Sequence, residues 1–169
     1  MDAYEAIVTK RDTREYEPQP ISAEHLRHIV QAGRMAGSSK DAQPIRLILL
    51  TEQPDQEAIA TRGDFAEHLP SSPLVVVVVR VGDSRPFDAG RVAQNMMIAA
   101  RADGIASCPV GIQHDDCARD VLGLPADAVV AMAITFGYPR GGRAEGHGNR
   151  RIDLNAFVRN GRWDGPTGL

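Results

Sequence analysis

Residues 74–81 read Leu-Val-Val-Val-Val-Val-Arg-Val. A run of β-branched residues this dense favours an extended backbone. Because it offers no polar face, the strand it forms lies inside a sheet and is covered on both sides. It is far too short to span a bilayer, which needs about 20 apolar residues. Two further stretches read as buried strands, Arg46–Thr51 (RLILLT) and Val129–Phe136 (VVAMAITF), and Ile105–Ile112 is mostly extended.

Between these strands the pattern changes to a helical period. Tyr4–Thr9 forms a first short helix. Pro18 and Pro20 then impose an extended stretch. Ser22 is placed to cap a helix whose Leu26, Ile29, Val30 and Gly33 share one face. That helix ends near Met35, before the loop Ala36-Gly37-Ser38-Ser39. Asp88 is read as the cap of a long helix through Arg101, closed by Gly104. Asp115–Leu122 is a short helix, 137–148 a glycine- and arginine-rich loop, and 150–163 a terminal segment with a short amphipathic piece, LNAFV. Helices alternating with buried strands make a mixed α/β domain of two or three layers. No repeat or long linker divides residues 1–169, so one domain is expected. Strands buried on both faces, taken alone, suggest a parallel sheet.

Composition narrows the function. The chain is 43% hydrophobic and 24% charged with a net charge of -3, which gives no basic field for nucleic acid or an anionic membrane. Lys10 and Lys40 are the only lysines, so arginine carries nearly all the positive charge. Cys108 and Cys117 have no metal-ligand spacing, and His25 and His28 have no third ligand nearby in sequence. The N-terminal stretch MDAYEAIVTKRD lacks the apolar core of a signal peptide, and a reduced, cytoplasmic protein is expected. There is no GxGxxG after a strand, no Walker sequence, and no nucleophile elbow around Ser38 and Ser39.

Four segments could carry chemistry. Lys10-Arg11-Asp12-Thr13-Arg14 puts three cations in five residues, which suits a phosphate, although spacing alone favours a solvated charged turn. Gly37–Pro44 offers hydroxyl and amide groups to a polar planar ring, or a turn whose Ser and Asp bond their own backbone. The helix from Asp88 and its exit through Pro109, Val110 and Gly111 bring backbone close to a ligand, or form an ordinary core helix and loop. Asn149-Arg150-Arg151 could complete a phosphate clamp or simply solubilise the surface.

In this order the segments resemble the nitroreductase family of flavoproteins. An RRS-x-R-like element matches Lys10–Arg14, and a PS-x-x-N-x-QP-like loop matches Gly37–Pro44. A D-x-G-x-A-x-Q-N helix matches Asp88–Gly104 and continues to Ser107–Gly111, and Gly137-Tyr138-Pro139 follows the last core strand. The resemblance covers essentially the whole chain. It implies an α+β fold, with a mostly antiparallel central sheet flanked by helices and assembled as an intertwined homodimer. It further implies FMN at the dimer interface, NADH or NADPH as electron donor, and ping-pong transfer to a nitroaromatic, quinone or similar small acceptor. Lys10, Arg11, Asp12 and Arg14, with Arg150 and Arg151, would hold the phosphate and ribityl chain. Ser38, Ser39, Asp41 and Gln43 would meet the isoalloxazine ring from the partner subunit, and Pro109, Val110 and Gly111 would lie near its reactive edge. No side chain is needed as a nucleophile, because the flavin carries the chemistry.

Some positions depart from the family's pattern. Asp41 replaces the usual Asn and would set an anion beside the ring, lowering the flavin potential. Gly37 replaces a Pro, and Ile45 an aromatic residue. Only Arg80–Phe87 separates the second strand from the central helix, where members with a substrate lid insert more chain. Two variants of the reading remain: a specialised flavoprotein of the same fold, of dehalogenase or flavin-destroying type, which Asp12 would fit, and a flavin-binding protein without turnover.

Overall fold

The computed structural model describes residues 1–142 and 151–168. In chain order the elements are α1 (Ala3–Thr9), α2 (Ala23–Arg34), β1 (Ile45–Leu50), α3 (Gln53–Ala60), β2 (Leu74–Val81), α4 (Pro86–Ala102), β3 (Ala106–Val110), α5 (Asp115–Leu122), β4 (Ala128–Gly137) and α6 (Leu154–Phe157). The four strands form one sheet in the order β1-β2-β4-β3, and every neighbouring pair is antiparallel. The parallel arrangement suggested by the buried runs is therefore wrong, and the antiparallel sheet implied by the family resemblance is right. Burial on both faces says only that a strand is central; strand direction is set by the connections.

The valine run owes its composition to its place. β2 lies between β1 and β4, and successive side chains point to opposite faces. Val75, Val77 and Val79 join Leu50, Ile59, Leu69 and Ala118 in one core cluster, under α3 and α5. Leu74, Val76 and Val78 join Ile29, Val92, Met96 and Phe136 in the other, under α2 and α4. The result is three layers with helices on both faces. Val75 to Val78 are fully buried, and burying each such side chain stabilises the fold by about 1.5–3 kcal/mol.

Helix boundaries follow their caps. Ser22 accepts from the His25 N–H at 3.2 Å and starts α2, which ends at Arg34 with Met35 as its cap. The long helix begins before Asp88: Arg85 is the cap and Pro86 takes the first turn, where a missing N–H costs nothing. Asp88 instead sits in that first turn, favourable to the helix dipole. Gly104 follows the helix with φ +75°. α3, which the pattern of the sequence does not announce, has Pro54 in its first turn and buries Gln56, whose Nε2 donates to the Leu50 carbonyl at 3.0 Å and to the Ser72 carbonyl at 3.3 Å. Among the described residues no helix is long and apolar enough to cross a membrane.

Candidate functional site

β3 is an edge strand, and its free edge organises the first half of the site. The Thr13 N–H donates to the Ser107 carbonyl at 3.1 Å, and Asp12 bridges Ser107, so residues 12–13 run alongside β3. Ser107 thus turns its backbone outward, and by strand alternation so does Pro109. A proline is tolerated there because no ladder N–H is required on that side. The segment before it is fixed by Tyr16. Its hydroxyl bonds the Thr13 carbonyl and, at 2.6 Å, Thr135 Oγ1 on β4. Burial lifts the Tyr16 phenol well above its ordinary range. Gly137-Tyr138-Pro139 supports this anchor: Tyr16 bridges Pro139, the Glu17 N–H donates to the Tyr138 carbonyl at 2.8 Å, and Tyr138 meets His25 at 3.0 Å.

The charged turn divides its labour. Lys10 pairs with Asp12. Arg11 folds back, donating to the Val8 carbonyl at 2.9 Å and to the Lys10 carbonyl at 2.8 Å, and so closes the end of α1. Arg14 is exposed and lies beside the Cys108 sulfur, whose hydrogen bond raises the guanidinium pKa; Glu67 and Asp12 add to this. Burial pushes the Cys108 thiol up, against the pull of Arg14. Two buried hydroxyls in the same place, Thr13 Oγ1 and Ser107 Oγ, have no hydrogen-bond partner among the described residues. Cations and unpaired hydroxyl donors together are the chemistry that a phosphate monoester or a polyol chain satisfies, so these residues fit FMN.

Residues 62–68 complete this half. Gly63 packs against the Gly111 carbonyl, and the Asp64 N–H donates to Gln113 Oε1 at 2.9 Å. His68 lies close to Arg14; burial, and then the guanidinium charge, lower its pKa. Sequence reasoning missed this segment, and its only signal was a charged stretch, Arg62–His68, lying directly before a core strand.

The second half is the loop from Gly37 to Gln43. Three of its non-glycine residues are left-handed: Lys40 (φ 55°), Asp41 (φ 52°) and Gln43 (φ 47°). Such positions cost about 1–3 kcal/mol each and cluster at functional sites. The loop is closed by its own polar groups: the Gln43 N–H donates to Ser38 Oγ at 2.8 Å and Gln43 Nε2 to Asp41 Oδ1 at 3.0 Å. Ser39, Asp41 and Gln43 are exposed. Beside the loop, a cleft of about 430 Å³ is floored by Val30, Leu47 and Val92 and rimmed by Arg34 and Arg46.

Within one chain the two halves do not meet. Thr9, next to the charged turn, accepts from Arg101 at 3.2 Å, whereas Gly37 lies against Arg91. Positions 91 and 101 of α4 are about 15 Å apart along the helix axis. Arg151 is exposed at the start of the terminal segment, and Arg150 lies outside the described residues. Among the described residues no group of three or more His, Cys, Asp or Glu is placed to hold a metal.

Comparison with known proteins bears on the family and the fold. The NADH dehydrogenase of Thermus thermophilus is 23% identical over 198 residues, covering 94% of this chain and 95% of that protein. The NADPH-flavin oxidoreductase of Vibrio harveyi is 25% identical over 158 residues, covering 80% of this chain and 65% of that protein. The solved structure of an FMN-dependent nitroreductase from Clostridium difficile matches with a TM-score of 0.83 at 20% identity, over 93% of this chain and 98% of that one. The model of the nitroreductase family matches residues 7–76 and 82–138, well over half of the sequence, and with this fold the chain belongs to the nitroreductase family.

Proposed function

We propose that this chain is an FMN-dependent NAD(P)H oxidoreductase that works as a cytoplasmic homodimer of single-domain subunits spanning 1–169. Its flavin would lie between the β3-edge cluster of one copy and the Gly37–Gln43 loop of the other. The observation that carries this reading is the division of the site: an anion-binding cluster and a strained polar loop stand at opposite ends of α4. A second copy brings one of each together. Family membership and the names of the relatives support an oxidoreductase that uses flavin and NAD(P)H.

The chemistry FMN supplies when bound is two-electron transfer from a nicotinamide to an electron-poor acceptor such as a nitroaromatic or quinone. The chain binds and orients. Arg14 and Lys10, with Arg150 and Arg151, hold the phosphate, and the free hydroxyls of Thr13 and Ser107 donate to its oxygens. Asp12 accepts from the ribityl hydroxyls. Arg11 acts at one remove by closing α1. Ser38, Ser39, Asp41 and Gln43 hydrogen-bond the polar edge of the ring, while Pro109, Val110 and Gly111 bring bare backbone to its reactive edge. β2 and α4 are joined only by Gly82–Arg85, and an acceptor side left open by so short a connection fits loose acceptor selection.

The test is an absorbance spectrum of the purified protein before and after anaerobic NADH or NADPH. A flavin spectrum that bleaches with either donor is expected. A protein that neither carries nor takes up FMN would overturn the reading. Bound flavin that neither donor bleaches would leave a binding protein without turnover.

A further inference from the structure

The loop proposed to meet the flavin ring begins at Gly37, where the family pattern has a proline. Gly37 is not among the residues with positive φ, so its backbone is one that other residues can adopt. The glycine is needed for space. A Cβ built there would lie 2.8 Å from one terminal nitrogen of Arg91, 3.3 Å from the other and 3.4 Å from the guanidinium carbon. The flat guanidinium of Arg91, from the second turn of α4, is therefore seated where a side chain would otherwise be. The guanidinium carbon also lies 5.7 Å from the ring centroid of Phe87, one helical turn earlier.

We propose that Arg91 is a positioning residue, whose guanidinium, held over the Phe87 ring and seated against the bare backbone of Gly37, braces the strained loop 38–43 on α4 so that its polar groups are ready to meet the flavin ring. This rests on the flavin reading above and deepens it. The loop has a reason to need a brace. Its left-handed Asp41 and Gln43 are held by hydrogen bonds inside the loop, and Arg91 adds a support that reaches it from α4. Arg91 reaches the loop at its first residue, before the strained positions begin.

The test uses the full-length chain as wild type, Arg91→Ala, Gly37→Ala and the double variant. It reads amide hydrogen exchange at residues 37–43 without flavin, then FMN affinity and the visible bands of bound FMN. Each single change should speed exchange in 37–43, weaken FMN by about tenfold, a loss of one good contact, and shift the flavin bands. Gly37→Ala has only the movable end of Arg91 to displace, so it should fold normally. In the double variant the new methyl has no guanidinium to displace, so exchange, affinity and bands should match those of Arg91→Ala alone instead of the sum of the two changes, a non-additivity expected of groups in contact. Exchange at 37–43 unchanged in Arg91→Ala, or single effects that simply add, would overturn the brace. If exchange follows the expected pattern while even the wild type binds no FMN, the brace stands and the flavin reading fails.

Discussion

The two halves of the proposed site are built by different physics. The β3-edge half is held from a distance: Thr13, Tyr16, Ser107 and Thr135 come from three parts of the chain and are locked by sheet pairing and buried hydrogen bonds. The 37–43 loop is held locally by Ser38, Asp41 and Gln43 bonding one another, with three left-handed residues under strain. The first half is as stable as the sheet itself, whereas the second can open without unfolding the core. The groups proposed to hold the phosphate thus sit on the sheet-anchored part, and those proposed to meet the ring on the locally held loop.

The contrast breaks most severely at Gly137, where a Cβ would lie 2.7 Å from the Tyr16 ring and 2.8 Å from Pro73, both rigid neighbours. Gly137→Val should lower unfolding stability by about 3 kcal/mol, the upper range for overpacking, as read from a urea midpoint. A midpoint within error of wild type would mean that Tyr16 is not the anchor described. Next, Arg14→Ala should weaken FMN binding by about 1.5–3 kcal/mol in a fluorescence titration, with little change in stability. Unchanged affinity would remove Arg14 from the clamp. On the loop side the sign reverses: Lys40→Gly should stabilise the chain by about 1 kcal/mol in thermal unfolding, since glycine takes a left-handed φ without cost. A loss of stability there would show that Lys40 makes a contact worth more than its strain.

The smallest effect concerns pH. Burial lowers the pKa of His68 in the fold below its ordinary 6.5, so the unfolded chain binds this proton more readily than the native one. Its contribution is therefore fully present above about pH 6.5 and is lost as pH falls from there towards the folded pKa. His68→Gln should flatten that part of the stability–pH curve; an identical slope would place the titration elsewhere.

Much of this was legible in the residues. Ser22 as a helix cap, the central place of the valine run and the loop character of 36–39 follow from local chemistry, and local chemistry is what a sequence displays. The start of α4 was misplaced because Asp88 and Pro86 both suit a first turn, and the tertiary path favoured the proline. Residues 62–68 and the role of Arg91 were not legible, because their partners, Arg14 and Gly111 in one case and Gly37 in the other, are distant in sequence.

By itself the sequence determined which strand is central, the order of the chemistry-bearing segments and hence the family, since apolar patterning and motif order are properties of the chain. Only the tertiary structure decided that the sheet is antiparallel, that Arg11 serves α1 while Arg14 lies beside Cys108, and that the charged turn and the 37–43 loop stand apart along α4. Strand direction, side-chain partnership and distance through space depend on long-range contacts, whose cooperative packing no local pattern encodes.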